Sequence, residues 1–245
     1  MAGVSGGRVW LEVPFAQKEA AKAAGARWDP RARRWYAPGP LFGGLEEWLP
    51  RPAAPALLPG EDRGFGSGLF VDLVPSSCWF TNVRSCVDVR DWDRLRVMVY
   101  ARADHVCEAC GAGRDPGAGV MLEAHERWAY DPVERVQVLR RLVCLCSRCH
   151  GATHFGWAAL NGRDEAARTQ LATVNGWDAV QVAVHVDAAF ALWHERSRVN
   201  WTLDLRMLTE AGIRVGPVPS ADRRRELGEV QVPGAPPLTD LAGGL

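Results

Sequence analysis

Two Cys-x-x-Cys pairs constrain the fold of this chain more than any other feature. Cys107 and Cys110 lie in HVCEACG, and Cys146 and Cys149 lie in CLCSRCH. Each spacing lets a tight turn present two thiolates to one ion, and a tetrahedral zinc takes four such sulfurs. The gap of roughly 35 residues between the pairs exceeds the roughly 15–20 residues of a simple zinc ribbon. The sequence therefore predicts a structural Zn²⁺ with a further element built between its two halves.

Three of the six histidines lie in the stretch from Cys107 to His154. His150 and His154 follow the second pair in CHGATH, and a helix over this stretch would place both on one face because they are four residues apart. Paired helical histidines of this kind bind metal ions. His125, in LEAHE between the cysteine pairs, can complete such a site from across a hairpin. A second metal site is therefore predicted.

The motifs CEAC, LEAHE and LCSRCHGATH, in this order between about Trp92 and Ala158, resemble the HNH endonuclease family. The resemblance implies an α+β module, the zinc-braced ββα-metal fold, which is similar to a treble clef and carries flanking helices here. It also implies a catalytic divalent metal, Mg²⁺, Mn²⁺, Ni²⁺ or Zn²⁺, held by His125, His150 and His154. The implied function is hydrolysis of phosphodiester bonds in DNA.

Two departures from the family pattern concern the chemistry. The family usually has a histidine beside its first metal ligand as general base, where this chain has Glu126. On a regular strand Glu126 faces away from His125 and Glu123 shares the His125 face, whereas a bulge would let both converge. The base is therefore either Glu126 or Glu123. Arg141 replaces the family's asparagine, and it either reaches the phosphate or covers the sheet.

These departures leave an alternative function open. A catalytically degenerate, zinc-braced nucleic-acid-binding protein would keep the fold and lack the base. A third hypothesis is an adaptor whose surface patches contact protein. The pair of histidines in HGATH favours the enzyme, and the missing histidine and asparagine favour the binding protein.

Residues 8–50 predict a small separate domain with the order β-α-β-β. RVWLEVP has the composition of a strand, AQKEAAKAAGA that of a helix ending at Gly25, and RWDPRARRWYAP that of two strands around an Asp29-Pro30 turn. The stretch resembles a small domain of unknown function fused to primase-like and other DNA-processing proteins. Trp10 and Phe15 are expected in its core.

Arginines and aromatic residues interleave in the second half of this domain, a pattern that suits stacking and pairing with nucleic acid. The predicted nucleic-acid contacts are Arg27, Arg31, Arg33, Arg34 and Trp35. The alternative is that Trp28 and Trp35 form the core and the arginines are its solvated rim.

Composition limits the remaining possibilities. Lys and Arg together number 29, as do Asp and Glu, so nucleic-acid binding must depend on local patches rather than on bulk charge. Seven cysteines, an odd number, favour a reducing compartment, and Cys78 and Cys86 are expected to be buried thiols. Without a signal sequence or a run of about 18 apolar residues, the protein is expected to be cytoplasmic and off the membrane. DNA or RNA is the expected partner, and the sequence identifies no protein partner.

The rest of the chain divides by composition. The Pro- and Gly-rich residues 51–68 predict a linker, residues 69–215 the HNH-like domain with C-terminal helices, and residues 216–245 a disordered tail. Trp79 and Phe80 are expected to pack against the metal module.

Three helices are predicted in the second domain: one capped by Asp91 and ending near Ala103, one over Asp164–Val174, and one over Asp178–Arg198. The arginines of the first of these helices face either phosphate or solvent. His185 and His194, without partners at metal spacing, are expected to be structural.

Overall fold

The computed structural model describes residues 8–39, 44–78, 81–220 and 222–224. The chain forms two compact units, Met1–Ala53 and Ala54–Leu245, each of which mixes helices and strands. Trp79 and Phe80, which the sequence predicts to pack against the metal module, lie outside the described residues. No helix among the described residues is long and apolar enough to cross a membrane.

The first unit has the predicted β-α-β-β order. Its elements are β1 (Arg8–Leu11), α1 (Lys18–Ala23), β2 (Arg27–Asp29) and β3 (Arg34–Pro38), with single 3-10 turns at Phe15–Gln17 and Glu46–Trp48. The strands form an antiparallel sheet in the order β1-β3-β2. Gly25 ends the helix region with φ of 98°, a conformation that costs glycine little.

The core of this unit differs from the expected one. Trp48 is buried and its indole N–H donates to Gln17 Oε1 at 2.7 Å, whereas Phe15 is 83% exposed and Trp28 is 47% exposed. Phe15 lies on a turn outside the sheet, and Trp28 lies on the edge strand β2. The prediction of Phe15 as a core residue was therefore wrong, and so was the alternative that placed Trp28 in the core. Trp35 packs against the core, whereas Trp10, also predicted there, is partly buried outside it.

The second unit is larger and is built around a long hairpin. Its elements are α2 (Val83–Cys86), α3 (Val89–Arg102), β4 (Leu122–Asp131), β5 (Val136–Cys146), α4 (Ser147–Thr153), α5 (Phe155–Leu160), α6 (Asp164–Asn175), α7 (Ala179–Ser197), β6 (Thr202–Asp204) and α8 (Arg206–Thr209). In its sheet β5 lies between β4, its antiparallel partner, and β6, which runs parallel to it. Strand β4 is therefore an edge strand.

The hairpin separates two apolar cores. On one face, Val143 and Leu145 pack with residues of α4, α5, α6 and α7. On the other face, Leu142 and Cys144 pack with residues of α3 and α8. This alternation is the period of two expected of a strand that is buried on both faces.

The helices agree closely with the sequence pattern except at one cap. Helix α3 begins at Val89, because Asp88 Oδ1 accepts hydrogen bonds from the backbone N–H groups of Arg90 and Asp91. Asp91 is instead paired with Arg94. Helix α7 opens with the predicted capping box of Asp178 and Gln181. The stripe predicted for it is buried: Val182, Val186, Phe190 and Trp193.

The expected linker is packed structure from Ala54 onward. Leu58 is buried, and Glu61 forms a fully buried, two-pronged ion pair with Arg102, with N–O distances of 2.6 and 2.7 Å. Glu61 also accepts the backbone N–H of Leu142 at 2.9 Å. Removing one partner of such a buried pair costs about 3–5 kcal/mol, so this segment is held on the hairpin.

The described part of the expected tail is likewise ordered. Arg224 is buried and donates to the carbonyls of Ser77 and Trp201 at 2.6 and 2.5 Å, and Gly216 N–H donates to Cys86 O at 2.7 Å. The prediction of disorder was wrong for residues 216–220 and 222–224, and residues 225–245 lie outside the described ranges.

Candidate metal centre

The four cysteines of the two pairs converge on one point. Their sulfur atoms all lie within 4.8 Å of one another, and the sulfurs of Cys110 and Cys146 are 3.7 Å apart. Four sulfurs about 2.3 Å from a zinc ion form a tetrahedron with edges of about 3.8 Å. A disulfide needs about 2.05 Å, so these cysteines are placed to bind a metal ion such as zinc.

Local backbone structure positions each pair. In the first, Gly111 N–H donates to Cys107 O at 2.8 Å, and the tight turn puts Gly111 at φ of 74°. In the second, Cys146 is the last residue of β5 and Cys149 lies in the first turn of α4. The strand-to-helix junction therefore supplies half of the cluster.

The thiols influence one another's ionisation. A hydrogen bond with Cys149 lowers the pKa of Cys107 to about 5, and burial, together with the nearby Cys107 thiolate, raises the pKa of Cys110 to about 11. The negative charge of the Cys107 thiolate therefore opposes ionisation of Cys110. A bound cation would balance that charge. Cys78 and Cys86 are buried outside this cluster, as predicted.

The three predicted histidines form a second cluster. His125 projects from β4, His150 lies in α4, and His154 lies at the C-terminus of α4. Their ring centroids are 5.2 Å apart for His125–His150, 4.8 Å for His125–His154 and 4.6 Å for His150–His154. One ring nitrogen from each lies within 4.8 Å of the others, a spacing that suits one ion.

The surroundings of His125 fit a metal ligand. Its ring is 4% exposed, and neither ring nitrogen has a hydrogen-bond partner among the described residues. A buried polar group left unpaired costs about 1–3 kcal/mol, which a bound cation would offset. Burial lowers the pKa of all three imidazoles, that of His154 to about 3. They are therefore neutral at pH 7, the form that binds metals.

The two glutamates on β4 point in different directions. Glu123 shares the His125 face, and its Oε2 is 3.1 Å from His150 Nδ1. Glu126 pairs across the sheet with Leu142 on the opposite face, and its Oε1 accepts the N–H of Val83 at 2.8 Å. Burial raises the pKa of Glu126. The register shift of β4 comes after Arg127, so no bulge turns Glu126 toward His125.

A cavity of about 1010 Å³ lies along the free edge of β4. Because β4 is an edge strand, residues of both its faces line the cavity: Glu123 and His125 from one, Glu126 from the other. His150 and His154 also line it. The histidine cluster and both candidate bases thus border one cavity.

Arg141 lies elsewhere. Its guanidinium is buried, is 2.5 Å from Glu108 Oε2, and donates to Phe65 O and Ser67 Oγ at 3.3 Å. It is not among the residues that line the cavity. The prediction that Arg141 reaches a phosphate is therefore corrected, because the carboxylate of Glu108, inside the first cysteine pair, holds it.

The sequence did not single out the cations at this cavity. Arg84, exposed on α2, and Arg96, on α3, both line it. Of the other α3 arginines, Arg94 pairs with Asp91, Arg102 pairs with Glu61, and Arg90 is buried. Only knowledge of which side of α3 faces the cavity distinguishes Arg96 from the rest.

The predicted nucleic-acid residues of the first unit divide between strands and a turn. Arg27 and Arg34 lie on strands, whereas Arg31 and Arg33 lie in the turn between them. Trp35 pairs in register with Leu11 and belongs to the core face.

Comparisons with known proteins concern mainly this first unit. Residues 8–50 match the domain of unknown function DUF5710. The chain is also similar to two proteins described as DNA primase TraC of Escherichia coli. One is 43% identical over 60 residues, 22% of this chain, and the other is 37% identical over 100 residues, 38% of this chain. The matched stretch is 6% of each relative's length, and no solved structure matches significantly.

Proposed function

We propose that the second unit is an HNH-type, metal-dependent endonuclease that hydrolyses phosphodiester bonds of DNA. The observation that carries the proposal is the cluster of His125, His150 and His154, which opens on a large cavity beside four clustered cysteines. A hairpin followed directly by a helix that bears two of the histidines supports the ββα-metal fold as its finer description.

His125, His150 and His154 would hold the catalytic cation, which supplies electrostatic stabilisation of the charge that develops on the phosphate and on the leaving oxygen. We assign Glu123 a positioning role. Its carboxylate is at hydrogen-bond distance from His150 Nδ1, and such a partner orients the ring so that its other nitrogen is presented for ligation.

Glu126 is the proposed general base. Glu126 lines the same cavity from the other face of β4, whereas the carboxylate of Glu123 is already engaged by His150. Glu126 accepts a proton from the attacking water as the water oxygen bonds to phosphorus, the bond from phosphorus to the leaving oxygen breaks, and solvent protonates that oxygen.

Arg84 and Arg96 are the proposed phosphate contacts. Both line the cavity, and Arg96 is half exposed with its Nε 2.7 Å from Asp93 Oδ1. A guanidinium binds phosphate with paired N–H donors, which positions the backbone of the nucleic acid. The relatives that share a stretch with this chain are described as DNA primases, which favours DNA as the polymer.

Plasmid nicking tests this function. The full chain, carrying its zinc, is incubated with supercoiled plasmid and Mg²⁺, Mn²⁺ or Ni²⁺. The parent is expected to cleave, and His150→Ala to lose cleavage while it keeps its zinc and its unfolding temperature. His194→Ala is the matched control, because His194 lies on α7 away from the cluster.

Two results would contradict the proposal: no cleavage by the parent with any of the three metals, or parental cleavage by both His125→Ala and His150→Ala. The alternative would then hold, a zinc-braced nucleic-acid-binding protein without activity. This alternative is favoured by the location of Arg141, which pairs with Glu108 outside the cavity.

A further inference from the structure

The sheet of the first unit has two unlike faces. Leu11 and Ala37 belong to the core, together with Ala21 of α1 and Trp48. Side chains alternate along a strand, so Trp10 and Tyr36, next to these residues, lie on the other face. On that face, no described core residue of this unit lies beside Trp10 or Tyr36. We call this second side the open face.

The open face carries a connected set of rings and guanidinium groups. Trp10 and Tyr36 are cross-strand partners with ring centroids 6.1 Å apart. The guanidinium of Arg8 lies 4.7 Å from the Tyr36 ring centre, and that of Arg34 lies 5.2 Å from the Trp10 ring centre. These contacts hold the arginine side chains beside the rings, so that they do not extend freely into solvent.

Charge on the open face is positive. Arg27 pairs in register with Tyr36, which puts its side chain on the same face. Within the strands, this face therefore carries three arginines, Arg8, Arg27 and Arg34, and one carboxylate. That carboxylate is Asp29, whose Oδ2 is 2.9 Å from Arg8. The net positive charge suits a polyanion, although the whole chain is neutral.

We propose that the open face binds a single-stranded polynucleotide, with bases stacked on Trp10 and Tyr36 and phosphates paired with Arg8, Arg27 and Arg34. A single strand fits because its bases can leave their own stack and lie on aromatic rings, whereas the bases of a duplex are covered. Arg31 and Arg33, in the turn, and Trp35, on the core face, are not part of the proposed site. The proposal is independent of the cleavage chemistry of the second unit.

Binding is measured by fluorescence anisotropy with labelled oligothymidylate and oligouridylate of about 16 nucleotides, within the usual site size for single strands. The full chain is used with its zinc and without added divalent cation. Tyr36→Leu is expected to weaken binding about tenfold, the loss of one base–aromatic stack. Phe15→Leu, which removes an aromatic ring that is 83% exposed and off the sheet, is the matched control and is expected to bind like the parent.

A second pair of variants tests the charge without altering the aromatic residues. Arg27→Gln is expected to lower the slope of log affinity against log salt by about 0.7, one phosphate contact. Lys22→Gln, on α1 at the covered face, is its control and should leave the slope unchanged. Binding of either oligomer supports the proposal, and the ratio of the two affinities identifies DNA or RNA as the ligand.

Three results would overturn the proposal. One is that Tyr36→Leu and Arg27→Gln both bind like the parent. Another is that Phe15→Leu weakens binding as much as Tyr36→Leu does, and that Lys22→Gln lowers the salt slope as much as Arg27→Gln does. The third is that a duplex of the same length binds the parent as tightly as the single strand. Loss of plasmid nicking has no bearing on these outcomes, so failure of the two proposals can be distinguished.

Discussion

The cysteine cluster and the histidine cluster share one strand-to-helix junction but differ in access. Cys146 and Cys149 supply two of four sulfurs, and three of those four cysteines are buried. His150, one residue further along α4, supplies one of three nitrogens at the wall of a cavity. Four protein ligands close a tetrahedral site, whereas three leave a position for water or substrate.

Donor number and location thus distinguish a closed site from an open one within about one helical turn. Three of the sulfurs, those of Cys107, Cys146 and Cys149, lie in an apolar core with Val143 and Leu145, where an ion would brace the fold. The imidazoles border a cavity beside β4, whose outer edge pairs with no other strand among the described residues. Each variant below therefore changes one residue at or beside one of the two clusters.

The largest effect is expected for Cys107→Ser. A structural zinc contributes about 10–16 kcal/mol to folding, which matches or exceeds the total stability of about 5–15 kcal/mol of most domains. The second unit should lose its zinc and its cooperative unfolding transition, as measured by atomic emission and circular dichroism. Cys78→Ala, a buried thiol outside the cluster, should keep both. A zinc content well below one ion per chain in the purified parent protein would contradict this expectation.

Glu126→Gln should reduce cleavage about 10²- to 10⁴-fold, because an amide cannot accept the proton of the attacking water. The metal content and unfolding temperature should stay near those of the parent. Single-turnover cleavage of a labelled DNA is the measurement. A rate within a factor of about two of the parent would remove Glu126 from the mechanism.

Glu123→Gln should act through the metal. The loss of a carboxylate partner to a metal-binding histidine typically weakens affinity about 10- to 100-fold. The concentration of Mn²⁺ that gives half-maximal cleavage should rise accordingly, while the rate at saturating Mn²⁺ recovers. A reduced rate that added metal does not restore would assign Glu123 a direct role instead.

The smallest effect is expected for Gln170, which forms a hydrogen bond to the cysteine cluster. Gln170 donates to the sulfur of Cys149 at 3.1 Å. Gln170→Leu should lower the free energy of unfolding by about 1 kcal/mol and leave cleavage unchanged. Urea unfolding and plasmid nicking, measured on one preparation, check both halves. Impaired nicking at full stability would mean that the two clusters are coupled.

Local patterns predicted the parts of this protein that depend on neighbours in sequence. The spacing of the cysteine pairs predicted that four sulfurs would meet, and the Asp178 capping box and the apolar stripe after it predicted α7. The order LEAHE, then CHGATH, predicted which three histidines converge. These features follow from turn geometry and from the helical and strand periods, which the sequence itself carries.

Pairings between distant residues were decided only by the tertiary structure. Glu61 looked like part of a linker because its partner Arg102 is 41 residues away, and Arg141 looked like a phosphate contact because nothing local indicates Glu108. The faces on which Glu123 and Glu126 lie depended on the register of β4 and β5. Whether Tyr36 or Trp35 faces the core depended on which side of the sheet α1 covers. A one-residue change of register would reverse every such assignment, since successive side chains on a strand point to opposite faces.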